Sequence, residues 1–157
     1  MSSLQDALDA LFSIHIERGF RLEDLNPGLD EAEFRAAVSW FPFQIHDEIR
    51  ELYAWRNGNR ELFNQQEYFR FGDEAFFSID YARAEYEAML GCWGDLAEIN
   101  EELGFDFRTG FPFAGLHGSY LLVNPQNGEI HRLFCGAEKK ADSLEALVRL
   151  SAAKIGK

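Results

Sequence analysis

Lysine is absent before residue 139 of this 157-residue chain, and cysteine occurs only twice. Cys92 and Cys135 form no CxxC pair, so we expect two buried small hydrophobic residues and neither a disulfide nor a metal-ligand set. No apolar run is long enough to span a bilayer, and the N-terminus lacks the basic and apolar segments of a signal peptide. These absences predict a cytoplasmic protein that does not enter a membrane.

Positive charge is scarce throughout: 15 Lys and Arg stand against 27 Asp and Glu, a net charge of −12. Phosphate binding needs clustered cations, so neither nucleic acid nor an anionic membrane is an expected partner. Residues 61–110 hold 12 acidic and 3 basic residues, whereas residues 111–157 hold 4 and 6. Such asymmetry is typical either of a surface that binds a basic protein or of a solvated helix face.

Catalytic and ligand-binding motifs are missing as well. The four histidines form no HxH or HExxH pair, no glycine-rich phosphate loop is present, and Ser119 is not in a GxSxG elbow. We therefore expect no metal, no cofactor and no enzyme. His117 lies just before a strand and is the one histidine with a catalytic hypothesis. In that hypothesis the protein is a hydrolase that uses His117 and a nearby carboxylate. A role in a turn is the simpler interpretation.

Apolar residues, in contrast, are plentiful. They make up 46% of the chain, and 15 of them are phenylalanine. A phenylalanine ring fills a core without a polar atom that needs a partner, so nearly all of these rings are expected inside. A chain of this length and composition is long enough for one domain, residues 1–157, with a sizeable core.

Helix signals occupy the first third of the chain. A stripe of leucines predicts an amphipathic helix over residues 3–18. Asp30 and Glu33 have the spacing of a capping box, which predicts a second, short helix. A third helix is expected to end at Asn57 or Gly58, because both residue types tolerate a left-handed backbone.

Short aromatic strands and a long helix follow in the middle of the chain. Residues 68–71 and 76–79 are strand candidates. Helical periodicity starts at Asp80, but Gly94 and the capping residue Asp95 predict a break and a second helical piece.

The last third of the chain indicates strands and a final helix. Strands are predicted at residues 111–113, 119–124 and 129–134, with Asn127-Gly128 as a hairpin turn. A terminal helix begins at Ser143. The prediction is therefore an α+β fold: one domain with N-terminal helices packed on a mainly antiparallel sheet and a closing C-terminal helix.

Three groups of these residues together resemble a known family. They are Leu52-Tyr53-x-Trp55-x-Asn57-Gly58, then Phe111-Pro112-Phe113-Ala114 before Gly118 and the strand Tyr120-Leu121-Leu122-Val123, and finally Asn127-Gly128-Glu129-Ile130 before the terminal helix. Their order and spacing are similar to the SUKH superfamily, in its Smi/Knr branch, over about residues 25–150. That branch comprises bacterial immunity proteins and a fungal cell-wall regulator.

The resemblance implies a non-enzymatic domain that binds protein. Many bacterial members are thought to neutralise toxins, often nucleases, by direct binding, which implies an immunity protein with a basic cognate toxin as its partner. A regulatory scaffold that binds a cellular partner is the alternative. The expected partner contacts are acidic: Asp73, Glu74, Glu98, Glu101, Glu102 and Asp106. The expected scaffold residues are Trp55, Asn57, Phe113 and Gly128.

Overall fold

The structure is a computed structural model that describes residues 2–62, 64–93 and 97–155. Its elements are α1 (Ser3–Glu17), β1 (Leu25–Pro27), α2 (Glu31–Ala37), α3 (Asp47–Trp55), β2 (Arg56–Asn59), β3 (Arg70–Phe71), β4 (Glu74–Phe76), α4 (Ile79–Trp93), α5 (Ala97–Leu103), β5 (Phe111–Leu116), β6 (Ser119–Val123), β7 (Ile130–Leu133), β8 (Ala137–Ala141) and α6 (Leu144–Ile155). Short 3-10 helices lie at Leu22–Asp24 and Phe107–Thr109. The fold is α+β with a closing C-terminal helix, as predicted.

Strands β3 to β8 form one antiparallel sheet in the order of the chain, and β1 pairs with β2 in a separate antiparallel ribbon. Because consecutive strands of the large sheet are antiparallel neighbours, alternate turns lie at the same end. The registers of β4 with β5 and of β6 with β7 place the turns at residues 72–73, 117–118 and 134–136 at one end. We call this end the hairpin end.

One hydrophobic cluster joins the helices to the sheet. Among the described residues, ten phenylalanines are buried, and Phe12 and Phe105 pack partly buried against the core. Phe43 and Phe134 depart from the prediction, since they are 42% and 53% exposed. Burial of one such side chain stabilises the folded state by about 1.5–3 kcal/mol, so the aromatic rings dominate the core. Phe134 lies at the hairpin end and is therefore available to a partner.

Predicted helix starts are confirmed. The Ser2 hydroxyl accepts a hydrogen bond from the Gln5 amide at 3.1 Å. Asp30 and Glu33 form a reciprocal capping box at 2.8 and 3.0 Å. Ser143 caps α6 with its hydroxyl. Local sequence chemistry therefore sets where these helices begin.

The end of the third helix differs from the prediction. Helix α3 stops at Trp55, and Asn57 and Gly58 lie in strand β2. Gly58 does take a positive φ of 70°, but the reason is close packing: an added Cβ would collide with the backbone of Ser78. The Asn57 side-chain oxygen accepts the Ile79 amide at 3.0 Å and so caps α4.

Strand boundaries also shift. Residues 74–76, not 76–79, form β4, and α4 begins directly afterwards at Ile79. Strand β8 was not predicted, because Lys139 and Lys140 interrupt any apolar alternation; exposed lysines are typical of an edge strand. Gly128 takes the expected positive φ in the β6–β7 turn.

Both cysteines are free and exposed, so the prediction that they are buried is wrong. Cys135 lies in the β7–β8 turn with φ 56°, and Cys92 lies near the end of α4. The predicted helix break at Gly94 and the cap at Asp95 lie outside the described residues. In the described ranges, none of the helices combines the length and apolar content needed to cross a bilayer.

Candidate partner-binding surface

The predicted contact residues fall into four different environments. Asp73 is exposed in the β3–β4 turn, at the hairpin end. Glu74, the next residue, is buried. Glu98, Glu101 and Glu102 are exposed on α5, and Asp106 lies beyond that helix. The structure therefore separates residues that sequence spacing had grouped.

Glu74 is only 4% exposed, so its carboxylate does not face a partner. It accepts from the Arg132 guanidinium at 2.8 Å and from the Ser119 hydroxyl at 3.2 Å. Arg132 also donates to that hydroxyl at 2.9 Å. These three side chains tie β4, β6 and β7 together across the sheet. Glu74 was predicted as a partner contact, but its carboxylate instead holds together the strands at the hairpin end.

Helix α5 is fixed to the β7–β8 hairpin by Glu102. Its carboxylate accepts the backbone N–H of Ala137, the first residue of β8, at 2.9 Å. Hydrogen bonds to charged acceptors stabilise a contact by about 1.5–3 kcal/mol when they are shielded from water, and by less at an exposed position such as this one. The bond places the acidic helix beside the turn at residues 134–136.

Glu98 and Glu101 are exposed on the same helix. Within residues 2–62, 64–93 and 97–155, neither forms a salt bridge. Glu87 on α4, in contrast, is paired with Arg83. These two glutamates therefore present negative charge that the described part of the chain does not neutralise.

Asp106 is held by its own neighbour. Its carboxylate accepts from the Arg108 side chain at 2.7 and 3.0 Å and from the Arg108 amide at 3.0 Å. The Arg108 guanidinium is the main reason that the pKa of Asp106 is lowered. The Asp106 carboxylate also caps the 3-10 helix before β5. Strand β5 starts at the end of the sheet opposite to the hairpin end. The negative charge of Asp106 is therefore paired within the chain.

Phe134 is the feature of this surface that the sequence analysis missed. Its ring is half exposed at the start of the β7–β8 turn, and the Arg132 guanidinium lies 5.8 Å from the ring centroid. The predicted strand had included Phe134 as one more apolar residue. Side chains two positions apart lie on the same face of a strand, so the sequence could have placed Phe134 on the face of Arg132.

His117 forms the β5–β6 turn together with Gly118, at φ 52° and 84°. Positive φ at both central residues is the geometry of a type I′ hairpin turn, which supports the turn role. His117 also lines a cavity of about 130 Å³ together with Tyr81, Glu85 and Tyr120. The structure therefore supplies the carboxylate near His117 that the hydrolase hypothesis requires.

Two phenols hold Glu85 in this cavity. The Tyr120 hydroxyl donates to the Glu85 carboxylate at 2.7 Å. Burial, followed by the hydrogen bond and the charge of Glu85, raises the pKa of Tyr120. Burial and the Glu85 charge likewise raise the pKa of Tyr81 to about 12. Both phenols are therefore protonated donors at neutral pH.

The hairpin end thus combines exposed carboxylates on α5, an exposed aromatic ring and a small cavity with an anionic wall. Among the described residues, no three His, Cys, Asp or Glu side chains are grouped as metal ligands. The arrangement is suited to attract and bind a cationic surface. No protein-family model matches the chain, and no curated protein matches it.

Proposed function

We propose that this chain is a protein-binding domain of the immunity type, which neutralises a basic toxin by covering it with the hairpin end. The observation that carries the proposal is the exposed pair Glu98 and Glu101, without salt bridges in the described residues, on a helix bonded to the hairpin whose turn exposes the ring of Phe134. The resemblance to the SUKH superfamily supports the toxin as the class of partner.

The two parts of this surface have different physical roles. Exposed carboxylates raise the rate at which a basic partner arrives, since the field of like charges extends about 10 Å at 0.1 M salt. A central aromatic side chain contributes more to the lifetime of the complex, because its burial removes apolar area from water. Glu98 and Glu101 are expected to act mainly on association, and Phe134 on dissociation.

Rigidity of the surface supports the same function. Glu102 fixes α5 to β8, and the Glu74–Arg132 pair fixes the strands beneath. A surface that is ordered before binding loses less conformational entropy in the complex. The buried glutamate therefore contributes to binding indirectly, through the position of its neighbours.

The test uses the product of a neighbouring toxin-like gene as the partner, measured by co-purification, by binding kinetics and by rescue of cells that express it. The parent chain is expected to bind and to rescue. Reversal of both exposed charges, Glu98→Lys with Glu101→Lys, should lower the association rate constant about 10- to 100-fold at low salt. Phe134→Ala should weaken the equilibrium affinity about 30-fold or more.

Matched controls keep the residue type and exposure but move the change elsewhere. Glu17→Lys with Glu51→Lys reverses two exposed glutamates on α1 and α3. Phe43→Ala truncates another exposed phenylalanine. These controls are expected to bind nearly as the parent does. No binding and no rescue by the parent chain would remove the immunity proposal, and equal effects of both charge reversals would remove the assigned surface.

A regulatory scaffold is the alternative within the same class. It uses the same surface but predicts a cellular partner and no toxin gene beside its own. The identity of the adjacent genes separates the two functions, because only an immunity protein needs to be inherited with its toxin.

A hydrolase is the candidate from a different class, favoured by the shared cavity of His117 and Glu85. Its test is an activity screen with model esters and phosphodiesters. His117→Ala should abolish any activity that this cavity produces. Activity that is equal in the variant and the parent would exclude His117 as a catalytic residue.

A further inference from the structure

The cavity between α4 and the β5–β6 hairpin is walled by aromatic rings and one carboxylate. Its volume is about 130 Å³, and Phe77, Tyr81 and Tyr120 line it together with Glu85. The Phe77 and Tyr81 rings pack with their centroids 4.9 Å apart. His117 and Gly118 form the rim that opens at the hairpin end.

Glu85 brings negative charge into this aromatic setting. It is half-buried, and in the described part of the chain it forms no salt bridge with lysine, arginine or histidine. Its hydrogen-bond donors are phenols, which orient the carboxylate without cancelling its charge. A half-buried charge without a counter-ion is costly, and a cation that enters the cavity would offset that cost.

Aromatic faces add to the same preference. The quadrupole of a phenol or phenyl ring makes its face negative, and a cation within about 6 Å of the centroid is attracted by about 0.5–2 kcal/mol. A protein site for a divalent metal usually needs several His, Cys, Asp or Glu ligands, and the described residues do not group three of them here. The chemistry of the cavity therefore favours an organic cation over a metal ion.

We propose that this cavity binds the charged end of a lysine or arginine side chain presented by a basic protein partner. The inference rests on the proposed function and identifies this cavity as a site that contacts the partner. Two observations select a partner's side chain as the occupant: the volume is that of a side-chain tip, and the cavity opens at the same end of the sheet as Phe134 and the charges of α5.

The first experiment uses a lysine analogue alone, so it does not depend on the toxin. Nα-acetyl-lysine N-methylamide is titrated into the ¹⁵N-labelled chain, and Nα-acetyl-norleucine N-methylamide serves as the uncharged analogue. Saturable NMR shifts at Gly115, Gly118 and Tyr81 are expected for the lysine analogue, with millimolar affinity, and much smaller shifts for norleucine. Equal shifts with both analogues, or none with lysine, would overturn the proposal.

The variant that tests the charge is Glu85→Gln, which keeps the size of the side chain and still accepts from the phenols. It should weaken binding of the lysine analogue at least fivefold. Glu87→Gln is the control on the same helix, since Glu87 is exposed and paired with Arg83. It should bind the analogue as the parent does. A Glu85→Gln variant that keeps its native amide spectrum and binds lysine equally well would exclude the carboxylate.

The second experiment separates this inference from the proposed function. Toxin that binds the Glu85→Gln variant with unchanged affinity would refute the role of the cavity while leaving the immunity function standing. Glu85-dependent binding of the lysine analogue supports the cavity even where the neighbouring toxin does not bind, because the analogue contains no part of the toxin.

Discussion

Strand β2 and helix α5 are both polar in sequence, yet the structure uses them in opposite ways. Asn59 of β2 is 2% exposed, and its side-chain amide donates to the carbonyl oxygens of Phe69 and Phe76, each at 2.9 Å. Its oxygen accepts the Phe69 N–H at 2.9 Å. Glu98 and Glu101 of α5 are exposed and have no such partners among the described residues.

This contrast shows that some polar residues of this chain stabilise the fold and others are available for binding. A buried amide bonds backbone groups of Phe69, just before β3, and of Phe76 in β4, so it stabilises the fold. Exposed carboxylates make few contacts within the chain, so their loss costs little stability. Substitutions in the two regions should therefore separate stability from partner binding.

The largest effect is expected for Asn59→Ala. The substitution leaves the N–H of Phe69 and the C=O of Phe76 without this side-chain partner in the core, and each unsatisfied buried group costs about 1–3 kcal/mol. The C=O of Phe69 keeps the Phe76 N–H at 3.0 Å. We expect the free energy of unfolding to fall by about 3–5 kcal/mol, measured by urea denaturation. The exposed Asn64→Ala is the matched control and should change it by less than about 0.5 kcal/mol.

A destabilisation below about 1 kcal/mol for Asn59→Ala would show that water replaces the lost amide. In that case the contrast between β2 and α5 would not rest on buried hydrogen bonds. Thermal unfolding of the same pair of variants gives an independent measure.

An intermediate effect is expected for Glu74→Ala, compared with Asp73→Ala next to it. Removal of one partner of a fully buried ion pair costs about 3–5 kcal/mol. Because the Arg132 side chain is 30% exposed and keeps contact with water, we expect about 2–3 kcal/mol here. The exposed Asp73→Ala should cost less than about 0.5 kcal/mol.

A double-mutant cycle sharpens this result. Arg132→Met removes the charge that Glu74→Ala leaves unpaired, so the double variant should be less destabilised than the sum of the two single variants. Additive destabilisation would contradict the ion pair as the source of the effect.

The α+β fold was predictable because its signals are local. The capping box at Asp30, the helix start at Ser143 and the turn at Gly128 each depend on residues a few positions apart. The sites of Glu74 and Asn57 were not predictable, because Glu74 meets Ser119 across 45 positions and Asn57 caps Ile79 across 22. Contacts of that kind follow from strand order, which no single segment encodes.

The candidate surface was predictable only as a charge excess. The acidic composition of residues 61–110 indicated the exposed glutamates of α5, but it also included the buried Glu74 and Asp106, which is paired with Arg108. Phe134 and the Glu85 cavity could not be predicted, because both depend on how the β5–β6 and β7–β8 hairpins are arranged in the sheet. The cysteines were misassigned because a turn and an exposed helix face cannot be distinguished from a strand and a core face by two isolated residues.

A smaller effect concerns pH and the buried His15, whose ring Nε2 lies 3.3 Å from the Arg70 carbonyl oxygen. Burial is the main reason that its pKa lies below the ordinary 6.5, and it outweighs the hydrogen bond with the Arg70 backbone, which raises the pKa. The charges of Arg70 and Arg18 lower the pKa further, and the charge of Glu67 opposes them. In the unfolded chain His15 takes up a proton near pH 6.5, whereas in the folded chain it does so only at lower pH. Stability is therefore complete above pH 6.5 and falls as the pH decreases below it.

His15→Gln isolates this contribution, since glutamine is polar but does not titrate. Unfolding free energies at pH 7.5, 6.5 and 5.5 should fall more steeply for the parent than for the variant. Parallel pH profiles would exclude His15 as a source of acid sensitivity.

The smallest effect is expected where the binding surface lies, in the double variant Glu98→Gln with Glu101→Gln. Glu98 and Glu102 are one helical turn apart, and like charges at that spacing destabilise a helix by about 0.2–0.5 kcal/mol. Glu98 also lies in the first turn of α5, where its negative charge favours the helix by about 0.3–1 kcal/mol. Because these two effects oppose each other, neutral side chains should change the free energy of unfolding by less than about 0.5 kcal/mol at low salt, and leave it equal to the parent at 1 M salt, where both effects are screened. A loss of stability above about 1 kcal/mol would show that these glutamates hold the fold together, and α5 would then belong with β2 among the structural regions.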